Sequence, residues 1–486
     1  MAQTKSKKST KSSKNTIIFL IIAIIIVAAL TAYVIADGAL HKSSLLKDNS
    51  FINSVSSILK KFPANISQKD LDDVQVLIFK TNQQDTAGYT LSFGYSDAID
   101  LINKQKAETE AGTTPAEGEP TVDSLLKTAT SSAMIEDFSS LSLFKNVQYL
   151  VIQGPDANYG SLSGFNDLNF VTSMTSLTDI SVINTGATDF APLKEMTSLK
   201  TLNVQYCAVA DTSVLTGLTN LESLNLTAAG VKDMAFVSSF KNLKSLYIRG
   251  NEITDISVVK DLTNLKDLFL DSNQIEDISV LSSQPSLKNL NLSTNKIKDV
   301  SVLSNLKALE VLYLNSNQIT DASAALTSTA LTTLSLSSNQ LTSLAGIEKC
   351  TLLKNLYFDN NQIPDISFLS SLTALETLTA ENNGITDISV LSSLTNLTGI
   401  DFNGNKITSV APLASLTNLK YIYLDGNMIT DFSPISALET AGVYISGKDK
   451  QVTATAPETT AEAVTEAAPS ETVATSETTV EATTAG

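Results

Sequence analysis

The side chains in this sequence that could do chemistry are few. There is one histidine, His41, two cysteines, Cys207 and Cys350, and a file of carboxylates, Asp359, Glu381, Asp401 and Asp425. A serine or cysteine nucleophile needs a base within hydrogen-bond reach, and a lone histidine in 486 residues leaves almost no route to one. Two cysteines build neither a zinc site nor a disulfide framework, and each reads as a small buried residue. The carboxylates could form a hydrolytic pair, Asp359 with Glu381 for instance, or gather a calcium ion. On an open face without a pocket they read instead as a solvated acidic surface. No catalytic residue, metal or cofactor is therefore expected.

Charge narrows the partners. The formal net charge is −17, and the five lysines at Lys5, Lys7, Lys8, Lys11 and Lys14 run against that trend. An acidic surface repels phosphate backbones, so no nucleic acid is expected.

What must position these residues is a repeat. The stretches LKDLFLDSNQIEDISVLSSQ and LKNLNLSTNKIKDVSVLSNL follow one another, and equivalent leucines recur every 22 residues from Leu177 to Leu419. Each unit reads L-x-x-L-x-L-x-x-N-x-I-x-D-I-x-x-L, and an irregular further unit opens at Val147. The L-x-L centre predicts a short strand with alternate side chains on opposite faces: Leu268 and Leu270 inward, Asp267, Phe269 and Asp271 outward. One turn cannot bury its apolar side alone, so successive turns must stack on a shared core.

Two polar positions read as structural. The ninth is asparagine in nine successive units, from Asn251 to Asn427, and Thr185, Cys207 and Ala229 replace it in the first three. An inward amide there can satisfy backbone groups where the chain leaves the strand, from one turn to the next. Asp255, Asp277, Asp365, Asp387 and Asp431 precede runs such as ISVL, where each can cap a helical turn.

With its N-x-I-x-D-I-S-x-L, this pattern resembles the 22-residue bacterial leucine-rich repeat, most closely the internalin surface proteins. The resemblance covers about residues 147–435 and implies an α/β repeat solenoid. Such a solenoid has a parallel concave sheet, short 3-10 or irregular convex segments and a binding face for another cell's protein. The helix expected at 49–62, capped by Asn49 or Ser50 and burying Phe51, Val55, Ile58, Leu59 and Phe62, resembles the family's amino-terminal cap. So does ISQKDLDDVQVLIF, which passes into a first strand.

The ends set the domain plan. Residues 17–36 are twenty consecutive positions with Thr31 as the one clearly polar member, long enough for a helix to cross a bilayer. The lysines before it keep 1–16 in the cytoplasm and send the rest outside. A cleaved signal peptide is the alternative, with Val34 and Ala36 ahead of the cut. Residues 37–146 are expected to form the cap with a flexible insertion, AETEAGTTPAEGEPT (107–121) being its least structured part. The repeat domain spans 147–447, GVYISG (442–447) adding a closing strand, and 448–486 is read as a Thr/Ala/Glu-rich disordered tail.

The outward positions carry the candidate surface. Five of the twelve fifth positions are aromatic, Tyr247, Phe269, Tyr313, Tyr357 and Tyr423, in a chain that is 6% aromatic, and Tyr421 stands beside the last. Rings at strand spacing make a broken stripe of contact area. At the seventh position Arg249 and Asp271 should form an exposed ion pair of little energetic weight, while Asp359, Glu381, Asp401 and Asp425 extend the acidic face. The expected function is recognition or adhesion at the bacterial surface through a protein, or a glycan, on the extracellular side. A structural spacer of the envelope is the alternative.

Overall fold

The computed structural model describes residues 45–81, 89–111, 120–131, 135, 137–155, 165 and 168–452. They divide into two compact units: the first runs to Phe165 and takes in Asn169–Leu177, and the second runs from Thr178. The expectations for 1–16, 17–36 and 453–486 lie outside the described residues. Among those described, no helix is long and apolar enough to cross a membrane.

In the first unit, α1 (Asn49–Leu59) buries Phe51, Ile52, Val55 and Ile58. Its cap is Asp48, one residue earlier than the sequence suggests, because that carboxylate reaches the Phe51 N–H at 2.9 Å. Lys60 takes a left-handed φ of 53° and ends the helix, so Phe62 stands 59% exposed instead of buried. A short α2 (Gln68–Asp72) leads to β1 (Val76–Thr81), whose apolar run is buried on both faces.

Strand β1 pairs parallel with β4 (Tyr149–Gln153), Val76 opposite Tyr149, although more than sixty residues separate them. The intervening chain folds on the other edge of β1. There β2 (Tyr89–Gly94) pairs antiparallel with β1, and β3 (Lys127–Ser131) antiparallel with β2. Helix α3 (Ser96–Ala111) carries into the stretch expected to be flexible, since Ala98, Ile99, Leu101 and Ile102 recur at helical spacing and pack on Val76, Ile78 and Val151. Gly94 permits that approach, because a Cβ there would stand 2.8 Å from those of Ala98 and Val76. A short α4 (Val122–Leu125) resumes the described chain after 119.

The second unit is the repeat. Strands β5 (Asp179–Ile183), β6 (Thr201–Gln205), β7 (Ser223–Asn225), β8 (Ser245–Tyr247) and β9 (Asp267–Phe269) pair in parallel. So do β10 (Asn289–Asn291), β11 (Val311–Tyr313), β12 (Thr333–Ser335), β13 (Asn355–Tyr357) and β14 (Thr377–Thr379). Then follow β15 (Gly399–Asp401), β16 (Tyr421–Tyr423) and the closing β17 (Tyr444–Ile445). Up to β16 the register advances 22 residues per strand, Leu268 opposite Leu290 opposite Leu312. Those leucines are 0% exposed.

Short 3-10 turns such as Ser257–Asp261 and Ser279–Ser283 return the chain. Each aspartate at the thirteenth position accepts the N–H two residues on, Asp277 from Ser279 at 2.8 Å and Asp365 from Ser367 at 2.9 Å. It thus forms an Asx-type turn ahead of the 3-10 segment.

The asparagine ladder is continuous. Asn339 Oδ1 accepts the Ile319 N–H at 3.1 Å, while its Nδ2 donates to Leu314 O at 3.0 Å in the turn before and to Leu336 O at 2.9 Å in its own. The same pattern runs from Asn251 to Asn427. Cys207 keeps it with a thiol: Sγ accepts from Thr185 N–H at 3.4 Å and donates to Val182 O at 3.8 Å. Burial pushes both cysteine thiols up, Cys350 to about 11.

At the far end Gln451 completes the series, its Oε1 accepting the Ile429 N–H at 3.0 Å and its Nε2 donating to Leu424 O at 2.9 Å. Val452 N–H donates to Asn427 O at 2.7 Å. The ordered chain therefore passes the boundary expected at 447, because the ladder still needs a terminal amide.

Candidate functional site

The candidate site is the outer face of the second unit's sheet. Alternation of the strands points its third and fifth positions, and the seventh just beyond, away from the leucine core. On adjacent strands Tyr247 and Phe269 stack, ring centroids 4.9 Å apart with planes 23° from parallel. Burial pushes the Tyr247 hydroxyl up to about 12. Tyr313 and Tyr357 sit on β11 and β13, separated by the buried Ser335. All four residues are half-buried.

Arg249 and Asp271 meet as expected, Nε to Oδ1 at 2.9 Å, but the pair is not exposed: Asp271 is 8% accessible. Seventh-position side chains of adjacent turns stand one strand spacing apart, and the two charges shed water together. Removing either would leave the other poorly solvated.

The carboxylates do not converge on one point. Asp359 accepts from Ser337 Oγ at 2.9 Å, Thr379 Oγ1 at 2.7 Å and the Glu381 N–H at 2.9 Å. Glu381 takes a bond from Asn382 Nδ2 at 3.1 Å. Asp425 pairs with Lys450 at 2.8 Å, which holds its carboxyl below the ordinary value. Asp401 differs. Its carboxylate accepts the Asn403 N–H at 3.0 Å, yet burial, aided by the charges of Asp359 and Asp425, raises its pKa to about 6. Among the described residues no group of three His, Cys, Asp or Glu could hold a metal ion.

The last turns are the most open. Tyr421 is 52% exposed, Tyr423 36% and Tyr444 55%, and the rings of Tyr423 and Tyr444 lie 5.6 Å apart. Sequence reasoning placed Tyr421 and Tyr423 on the face and missed Tyr444. The signal was present in GVYISG, since the register that sets Ile445 beside Ile422 sets Tyr444 beside Tyr421. An open groove of about 510 Å³ beside the sheet is lined by Lys354, Glu376, Thr398 and Lys420 among others, and Lys354 bridges Glu376 at 3.0 Å.

A carboxyl raised from 3.8 in the unfolded chain to about 6 in the fold is disfavoured as an anion by folding. Its contribution to stability is complete below 3.8 and is lost as pH rises through 6. Asp401→Asn is therefore expected to be more stable than the parent at pH 7, by up to about 3 kcal/mol. That advantage should shrink toward zero at pH 4 in urea titrations. The lowered aspartates of the 3-10 turns, such as Asp277 and Asp365, lose their stabilisation as pH falls, but equally in both proteins.

Parallel strands at constant pitch, an inward asparagine ladder and 3-10 returns together define a leucine-rich repeat protein. The family of leucine-rich repeats (two copies) matches residues 241–283, 285–327, 329–371 and 395–437. An internalin (inlF) from Listeria monocytogenes is similar at 27% identity with a TM-score of 0.55, over 65% of this chain and 90% of that one. A leucine-rich repeat protein of Leptospira interrogans, at 24% identity and a TM-score of 0.56, covers 65% of this chain and 82% of its own. The functional domain of InlJ from Listeria monocytogenes has 20% identity and a TM-score of 0.50, over 63% and 69%. The last two share the fold. No curated protein matches the chain. Within the leucine-rich repeat proteins, this chain belongs to the internalin-like class.

Proposed function

We propose that the chain is a recognition protein of the bacterial surface that binds a protein on the outer face of its repeat sheet. The observation that carries this reading is the run of aromatic side chains from Tyr247 to Tyr444 on strands whose turns the asparagine ladder ties together. Rings held on strands give contact area with little entropy left to lose on binding. Export, and anchoring through residues 17–36 with the repeats outside, follow from the apolar run and the lysines before it. The internalin-like class supports a surface or secreted protein. A catalytic role finds no support in the hydrogen-bonded carboxylates.

The test is binding of the full chain to a panel of purified cell-surface proteins. Tyr357→Ala with Tyr423→Ala should weaken capture of any bound protein at least about tenfold, while circular dichroism shows the fold retained. Undiminished affinity in that double variant would remove this face from consideration.

A further inference from the structure

Deepening that reading, we propose that the last turns of the sheet hold a subsite for a cationic side chain, arginine or lysine, on an extended protein segment. Tyr421, Tyr423 and Tyr444 are its walls and Asp401 its counter-charge. Of the large apolar or aromatic side chains exposed among the described residues, Phe62, Tyr206, Leu352 and Val452 are scattered, while these three tyrosines adjoin. Tyr421 and Tyr423 leave β16 on the same face, Tyr444 lies opposite Tyr421, and the rings of Tyr423 and Tyr444 are inclined by 56°. Gly399, opposite Tyr421 on β15, carries no side chain, and the Tyr421 ring lies beside it, its Cδ2 3.8 Å from where a Cβ would stand.

Asp401 stands opposite Tyr423, so a cation lying over the rings would reach a carboxylate one strand away. Cations favour the faces of aromatic rings, and more so where water is partly excluded. The chain's own Lys450 shows the chemistry at the border of the patch, its ammonium 2.8 Å from Asp425. Among the described residues no lysine pairs with Asp401, and burial together with the neighbouring charges of Asp359 and Asp425 leaves its anion poorly compensated. An incoming guanidinium or ammonium would supply what is missing, whereas a neutral sugar would not.

The experiment uses the full chain and a labelled alternating Arg-Gly peptide, followed by fluorescence anisotropy, with the matched citrulline-Gly peptide as the neutral counterpart. The Arg peptide is expected to bind at least about tenfold more tightly than the citrulline peptide. Asp401→Asn, which keeps the side chain's size and all three rings, should remove most of that preference. The variant Tyr421→Ala/Tyr423→Ala/Tyr444→Ala should weaken the Arg peptide at least about tenfold, and Leu352→Ala, which removes an exposed apolar side chain off this face, should leave it unchanged.

Equal binding of the two peptides overturns the inference, as does a preference that survives Asp401→Asn, or binding of a neutral oligosaccharide in place of the Arg peptide. The wider reading is judged separately. If the Arg peptide fails while a cell-surface protein is captured and lost with Tyr357→Ala, the subsite falls and the recognition face stands.

Discussion

Replacing Asn339 by alanine is expected to lower the unfolding free energy by about 2–4 kcal/mol, out of proportion to the loss of one small polar side chain. The amide joins two turns: it takes the Ile319 N–H and gives to Leu314 O, Leu336 O and Ser337 O. Its truncation strands a donor and an acceptor in a wall of leucines that are 0% exposed, and no water can replace the partners without opening the stack. Asn339→Asp should be worse, because a carboxylate facing three carbonyls has no donor left to give them. Asp277→Ala, by contrast, removes one exposed bond to Ser279 and should cost only about 0.5–1 kcal/mol. Urea midpoints of the three variants check the order. A loss at Asn339 no greater than that at Asp277 would mean that the ladder does not hold the turns together.

The ladder was legible from sequence because its residue type and its phase are both constrained. What escaped was constrained in backbone only. At the eighth position of the repeat the chain takes a left-handed φ in turn after turn, as at Asn184, Tyr206, Ala228, Ser272, Thr294 and Gly426. That bend aims the following amide inward. Six of the twelve residues there are Gly or Asn, which tolerate that φ, but Ser, Thr, Ala and Tyr206 fill the other six and blur the signal, and the bulky Tyr206 at φ 54° is one that backbone sterics disfavour. Gln451 escaped for a related reason: it closes the ladder 24 residues after Asn427 instead of 22, from a stretch whose composition reads as tail.

The candidate face was legible in part. Alternation put the right residues outward, but exposure depends on what stands on the next strand. Phe269 covers Tyr247, whereas Gly399 leaves Tyr421 open. Likewise the insertion after β1 read as loose because its middle is polar, while Ala98 to Ile102, just before it, carry enough apolar surface to seat a helix.

Gly447→Ala is expected to loosen the closing turn by about 2–4 kcal/mol, although the substitution adds one methyl group. Gly447 sits at φ +92°, which an alanine adopts only under strain, and its Cβ would lie 2.6 Å from the Leu424 carbonyl carbon and 2.7 Å from the Asp425 nitrogen. These are backbone atoms of the preceding turn and cannot rotate away. Relief requires residues 447–452 to lift, and with them the Lys450 bond to Asp425, the Gln451 bonds to Ile429 and Leu424, and the Val452 bond to Asn427. Because each turn of a repeat contacts only its neighbours, the damage should stay at this end. Amide exchange should quicken at Gly426, Ile429 and Val452 and remain slow at Leu268 and Leu312. Since Tyr444 hangs on the strand that this turn follows, the Arg-Gly peptide should also bind more weakly to a protein whose altered residue touches no ligand. Unchanged protection at Ile429 would show that the last rung is held by something other than Gln451.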